Sequence, residues 1–359
     1  MDLRAFISVL DQRGYLKKID KPVDWLYEIG KICRHNIKQP LLFENIKDYR
    51  GNRLFTGGFS RISLIALALG LPADISLNEL VRVIQKRIAG QVSPKLCQLN
   101  RSDYRIFDSS GVNLYDLPVP WWNEHDGGRY LGTWHINVTK DPESKRRNVG
   151  VYRMMILNKS QVTVSASENS HIAIHMRAAE SAGRDLEMAV GIGVDEAIVL
   201  AAASGFSFGI DEYSIAGGLM HHAVDLINCN TVDIELPYNC EFIIEGVLKK
   251  GVRVKDGPFF DYTGEPSVNK SAFLFDVRSV GIKREPVFRG MSVGCAGAED
   301  HVLFYLLSHL GLVDFHGSAL KQKIQNIFLK RGYYRLFMQA GKMGHILKKK
   351  NRRTQNETV

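Results

Sequence analysis

Arg153, Asp256 and Asp261 are the residues of this 359-residue chain best suited by type and spacing to move a proton. Arg153 closes the run Asn148-Val149-Gly150-Val151-Tyr152-Arg153, in a β-prone stretch where a buried cation demands a carboxylate or an anionic ligand. Asp256 and Asp261 flank Gly257-Pro258, and a bend of that kind aims two acids into one pocket. An acid beside Arg153 stays ionised, whereas one farther from the cation and in a drier site holds a proton near neutral pH. That division suits proton transfer to carbon. Two solvated aspartates on a surface turn, and an arginine at a sheet edge, are the alternative, and these fragments alone leave it open.

A second set is Asn148, His171 and Glu212. Amide and carboxylate oxygens with an imidazole suit Mg²⁺ or Mn²⁺, with positions left over for a phosphate. Taken singly, His171 at a helix start reads as a cap or a satisfied polar group, and Glu212 as an exposed acid. Other patterns are excluded more simply. Gly191-Ile192-Gly193 lacks the third glycine of a dinucleotide fingerprint, there is no Walker loop or Gly-x-Ser-x-Gly elbow, and His221-His222 are adjacent rather than spaced as metal ligands.

The elements that must carry these residues follow from periodicity. A strand over 149–157 places Val149, Val151 and Arg153 on one face and Asn148, Gly150 and Tyr152 on the other. Helices are expected at 2–16, from an Asp24 cap toward Arg34, at 60–71 and at 77–88, with a short strand at 40–43, giving an N-terminal α/β domain over 1–115. Leu117-Pro118-Val119-Pro120 marks an extended link. Beyond it, short β-branched runs at 133–139, 149–157, 161–165, 197–202, 224–227, 233–236, 241–248 and 272–282, with a helix at 171–183, read as a β-rich, partly closed sheet. Residues 299–347 read as a helical linker and basic amphipathic helices, and 348–359 as a disordered tail.

The composition, 45% hydrophobic and 24% charged, is that of a globular protein. Residues 321–359 hold eleven Lys or Arg and one acid, so the net charge of +9 belongs to that segment and the rest is near neutral, which does not favour nucleic-acid binding by the body. Five dispersed cysteines form no Cys-x-x-Cys pair and read as reduced thiols. Charges at Asp2, Arg4, Asp11 and Arg13 interrupt any leader, and Asp195 and Glu196 interrupt the most apolar stretch, so the expectation is a cytoplasmic protein with no membrane span.

These residues resemble a known family over about 1–315. Its Pro-x-x-x-x-x-Asp-x-Gly-Arg-Tyr stretch is matched by Asp126-Gly127-Gly128-Arg129-Tyr130, and its Asn-x-Gly-x-Tyr-Arg by Asn148 to Arg153. Its Asp-Glu-Tyr/x-x-x-Ala-Gly is matched by Asp211 to Gly217, and its Glu-x-x-x-Glu-Gly by Glu241 to Gly246. On these motifs, in this order, the chain is similar to the UbiD family of decarboxylases that use prenylated FMN, without the C-terminal α/β domain usual there. The resemblance implies an α+β protein: the N-terminal α/β domain, a split β-barrel flavin-binding domain over 116–298, and a short helical C-terminal tail.

The resemblance also implies roles. Arg153, Asp256 and Asp261 would be catalytic. Asn148, Val151, Tyr152, Arg153, Ser170, His171 and Glu212 would contact the cofactor, and Asn148, His171 and Glu212 would bind Mn²⁺ or Mg²⁺. K⁺ would sit beside Glu212, near backbone carbonyls of Ala201 to Ser204. The implied activity is reversible, non-oxidative decarboxylation of an aromatic or α,β-unsaturated carboxylic acid. A flavin prenyltransferase would supply the cofactor, and a homo-oligomer or a partner subunit would complete the assembly. A non-catalytic subunit or flavin-binding scaffold is the other expectation. Relatives usually carry Glu at the position of Asp256 and Gly at that of Phe260.

Overall fold

The Asp2 carboxylate accepts the Ala5 amide at 2.8 Å and starts helix α1 (Leu3–Gln12), which buries Leu3, Phe6, Ile7 and Leu10 along one stripe. The structure, a computed structural model, describes residues 1–98, 103–295 and 297–312, so the expected basic helices over 321–347 and the tail over 348–359 lie outside the described residues. Strand β1 (Lys17–Ile19) leads to α2 (Glu28–His35), β2 (Leu41–Phe43), β3 (Arg53–Thr56), α3 (Ile62–Ala68) and α4 (Leu77–Ala89). Helix α2 starts later than an Asp24 cap predicts. The Asp24 carboxylate closes a turn on the Leu26 amide instead, and Tyr27 takes the N-cap position at φ 66°.

The central region opens with β4 (Lys95–Leu96), β5 (Tyr104–Phe107), β6 (Tyr130–Gly132), β7 (His135–Lys140), β8 (Arg147–Gly150), β9 (Met154–Met155) and β10 (Gln161–Val164). It continues through α5 (His171–Ser181), β11 (Leu186–Ile192), α6 (Glu196–Ala202), α7 (Glu212–Met220), β12 (Asp225–Asn228) and β13 (Glu235–Pro237). The long hairpin β14 (Phe242–Phe260) and β15 (Pro266–Lys283) follows, then β16 (Val287–Arg289) and α8 (Glu299–Leu310). Seven of these strands form one curled sheet in the order β10-β15-β14-β11-β7-β8, with β5 on the far side of β15. Register shifts recur along the hairpin at Glu245/Gly246, Leu248/Arg253, Val254/Asp256 and Asp256/Phe259. Bulges of this kind bend a strand and re-aim its side chains, and they curl the sheet around its inner face.

Alternation along the strands sorts side chains between two cores. On β7, Ile136 and Val138 face the core built with α1, α3, α4, α6 and α7, while His135, Asn137 and Thr139 point the other way and are equally buried. On β11, Met188, Val190 and Ile192 join the inner core closed by α5.

The expected strand over 197–202 is helix α6. Its N-cap Asp195 accepts the Ala197 amide at 3.1 Å, and nearly every residue is buried, so no polar face marks the helical period. The N-terminal sheet, β1-β2-β3-β16, takes its fourth strand from beyond the curled sheet, with β16 parallel to β3. Arg289 on β16 is 1% exposed and pairs with Glu196 at 2.7 Å and Glu299 at 2.5 Å, while Glu299 also accepts the Gly57 and Phe59 amides. This buried cluster joins the N-terminal sheet, α6 and α8. No described helix is long and apolar enough to cross a membrane.

Candidate active site

The expected strand over 149–157 breaks at Val151–Arg153, because the polar face of β7 grips those residues from the side. The Tyr152 amide donates to Asn137 Oδ1 at 3.0 Å, and the Tyr152 carbonyl meets His135 Nε2 at 3.1 Å. The Tyr152 ring folds back over Gly150, where a Cβ would lie 2.6 Å from it. The alternation of faces expected for 148 to 153 therefore does not apply.

Arg153 emerges from the break toward β14. Its Nε donates to Asp256 Oδ1 at 2.6 Å, its Nη1 donates to Ser267 Oγ at 2.7 Å, and its guanidinium lies over the Phe259 ring at 5.1 Å. Asp256 is 0% exposed. Its second oxygen takes the Thr163 hydroxyl at 2.5 Å, and the Tyr130 hydroxyl stands 3.5 Å from Oδ1. Thr163 is itself fixed by the Met155 amide at 3.0 Å. Burial first, then the Asp256 charge, push the Tyr130 hydroxyl well above the usual phenol range, so it remains a donor. A charge buried this deeply persists only when fully partnered, and here both Asp256 oxygens are.

Asn148, His171 and Glu212 are brought together by two helix starts. His171 opens α5 and Glu212 opens α7, with His171 Nδ1 4.0 Å from Glu212 Oε1, while Glu212 Oε2 accepts the Val149 amide at 3.0 Å. Ser170, at the N-cap of α5, turns its hydroxyl to the Ser167 carbonyl and leaves the first turn without a side-chain cap; the Ile172 amide reaches the Tyr152 hydroxyl at 3.4 Å. Burial raises Glu212 to about 7 and lowers His171. The Asn148 side chain lies beside the Tyr152 hydroxyl, but its buried Nδ2 completes no hydrogen bond among the described residues.

The amide oxygen of Asn148, the Glu212 carboxylate that burial raises to about 7 and the His171 imidazole whose protonation burial disfavours form a donor set that fits a divalent metal, with the Asn148 Nδ2, a hydrogen-bond donor, taking no part. At the start of α5 the Ile172 amide meets the Tyr152 hydroxyl only at 3.4 Å, a long contact that a phosphate would replace. No group of three His, Cys, Asp or Glu forms a metal cage among the described residues, so the amide of Asn148 is needed to complete a donor set.

Asp261 stands apart from both groups, at the tip of the β14–β15 hairpin. Its Oδ1 accepts the Thr263 amide at 2.8 Å and also the Thr263 hydroxyl. The bend expected around Gly257-Pro258 is instead the irregular end of β14. Asp126, 5% exposed, reaches this end: its Oδ1 accepts the Phe260 amide at 2.8 Å and its Oδ2 the Asn123 amide at 3.1 Å. Burial raises Asp126 to about 6. Sequence reasoning does not single out Thr163, His135 and Asn137, and it names Asp126 and Tyr130 only as part of the matched motif, without a role. One signal is legible for His135 and Asn137: in Thr133 to Thr139 polar residues alternate with Trp134, Ile136 and Val138, one polar row on a strand that neighbours bury.

The fold has counterparts among known proteins. Residues 98–296 match the 3-octaprenyl-4-hydroxybenzoate carboxy-lyase Rift-related domain, and residues 7–84 match the N-terminal domain of the same carboxy-lyases. An uncharacterised protein of Aquifex aeolicus is 31% identical over 84% of this chain and 66% of its own length. A phenolic acid decarboxylase of Bacillus subtilis is 27% identical over 83% of this chain and 65% of its own. The chain thus spans about two thirds of the length of these relatives.

Among solved structures, the vanillic acid decarboxylase of Sedimentibacter hydroxybenzoicus in closed form superimposes with a TM-score of 0.80 at 26% identity, over 85% of this chain and 67% of that one. An evolved dimeric form of the UbiD-class enzyme HmfF from Pelotomaculum thermopropionicum, in complex with prFMN, gives a TM-score of 0.78 at 28% identity, over 86% and 70%. With both family domains matched in order and the fold shared, the chain belongs to the UbiD family.

Proposed function

We propose that this chain is a prenylated-FMN-dependent, non-oxidative and reversible decarboxylase of an aromatic or α,β-unsaturated carboxylic acid. The observation that carries the reading is a half-buried Arg153 paired with the fully buried Asp256 next to the Asn148, His171 and Glu212 cluster, only residues 149–152 separating Asn148 from Arg153 along the chain. The bound flavin would supply an electron sink for the pair of electrons left when CO₂ departs. Asn148, His171 and Glu212 would hold Mn²⁺ or Mg²⁺ against the cofactor phosphate, with K⁺ beside Glu212 near the end of α6. Val151, Tyr152 and Ser170 would line the cofactor.

Arg153 has its Nε and Nη1 committed, and Nη2 remains for a substrate carboxylate. Asp256, with both oxygens engaged, is the fixed counter-charge that orients Arg153. Asp261 has Oδ1 occupied by Thr263, leaving Oδ2 to carry the proton. In the forward direction the C–C bond to the carboxylate breaks, CO₂ leaves, and the Asp261 proton passes to the same carbon. In reverse, Asp261 accepts that proton as CO₂ adds. A flavin prenyltransferase would be the cofactor source, the compartment the cytoplasm, and the dimeric relative makes a homo-oligomer or a partner subunit the natural assembly.

The test is co-expression with a flavin prenyltransferase, extraction and mass measurement of the bound cofactor, and assay against aromatic and cinnamic-type acids. Retained cofactor with turnover that Arg153→Ala lowers at least ~100-fold is expected; turnover insensitive to that change sinks the assignment. The second reading, a non-catalytic subunit or flavin scaffold, draws on the complete engagement of Asp256, which leaves it no free oxygen for chemistry. Cofactor bound without turnover of any acid would select it.

A further inference from the structure

The Asp126–Tyr130 stretch lies far from Asp261 in sequence, yet it meets the end of β14 at three points. The Asp126 carboxylate accepts the Phe260 amide, next in the chain to Asp261, at 2.8 Å. The Gly127 amide donates to the Pro258 carbonyl at 2.6 Å, and a Cβ at Gly127 would stand 2.6 Å from the Gly257 carbonyl oxygen, so only glycine lets the two backbones come this close. The Tyr130 ring packs on Phe259 with centroids 4.3 Å apart. The grip is itself braced, since the Trp121 indole donates to the Asp126 carbonyl at 3.0 Å and the Asp126 carboxylate also ties down Asn123. A carboxylate buried in such a place costs free energy unless both oxygens accept hydrogen bonds, and both do.

We infer that Asp126 is a positioning residue for the second acid: with the Gly127 amide it clasps residues 258–260 and so sets where Asp261 presents its proton. The inference rests on the proposed reaction for its kinetic consequence, but the clasp is structural and can be measured without cofactor. The Asp126 carboxylate is spent on the Phe260 and Asn123 amides and acts on Asp261 through the backbone, so its influence belongs in kcat rather than in cofactor loading.

The experiment has two arms. Hydrogen exchange on the wild-type protein, cofactor-free, should show the Phe260 amide strongly protected, and Asp126→Asn, whose amide offers one acceptor where the carboxylate offers two, should speed its exchange at least ~10-fold. In cofactor-loaded protein the same variant should hold flavin within about twofold of wild type, lower kcat by about 10- to 100-fold and leave KM within about threefold. A Phe260 amide exchanging like an open loop in the wild type overturns the clasp, as does unchanged exchange in the variant; kcat within about twofold of wild type at full flavin content overturns the positioning role. Should the variant not fold, the wild-type exchange decides. Absence of turnover in the wild type would sink the decarboxylase reading, and the exchange arm would then decide the clasp by itself.

Discussion

At Arg153 the guanidinium is fixed along two edges, by Asp256 and by Ser267, before any ligand arrives. The sequence shows why such an arginine needs an acid, but not which one, because the choice depends on bulges in β14 that no local pattern announces. The structure selects Asp256 and sets Asp261 aside at the hairpin tip. The family resemblance leads one to expect Glu at this position, with a side chain longer by one C–C bond, about 1.5 Å. Here Thr163 meets the shorter side chain from the opposite side at 2.5 Å. Thr163→Val should leave that oxygen buried and bare, costing about 1–3 kcal/mol of stability in urea titrations and slowing turnover about tenfold. Thr163→Ser should restore both. Equal stability of the Val variant would show that Asp256 does not need the hydroxyl.

Among the elements, the break between β8 and β9 matters most to the site. Alternation predicted one strand through Arg153, and hydrogen bonds from His135 and Asn137 convert its middle into a fixed irregular segment. Side-chain donors and acceptors reaching across a sheet are tertiary facts, invisible to a window of neighbouring residues. The helices show the same limit. Helices α1, α4 and α5, with a polar side facing solvent, were legible to within about two residues at most ends, as expected of boundary assignments. Helices α6 and α7 are buried nearly all round and carry no such period, yet α7 delivers Glu212. Asn137→Leu should free the Tyr152 amide from its acceptor, lower stability by about 1–3 kcal/mol and shift flavin affinity, read by urea titration and cofactor retention. Retention equal to wild type would remove the segment from the cofactor's contacts.

Across the molecule, buried titratable groups set how the fold answers pH. Burial lowers His135 to about 4, whereas the unfolded chain protonates it near 6.5. Between those values the unfolded state binds the extra proton, so acidification costs stability, up to roughly 3 kcal/mol from this residue. Asp126 acts with the opposite sign. Raised to about 6 from an unfolded value near 3.8, it is protonated in the folded state while the unfolded chain is not, so acidification through that window relieves a burial cost. The two effects overlap and partly offset each other in the wild type. They separate in variants: from pH 7.5 to 4.5, His135→Gln should lose about 2–3 kcal/mol less stability than wild type, and Asp126→Asn should lose more. Parallel urea titration curves for all three proteins would contradict this.

The four-stranded N-terminal sheet, completed by β16 and sealed by Arg289 between Glu196 and Glu299, also dictates an order in time. On a ribosome adding about 5–20 residues per second, β3 waits roughly 10–50 s for its parallel neighbour to be made. During that interval its edge is open and the acid at 196 has no counter-ion, so the first residues synthesised are among the last to reach their final structure.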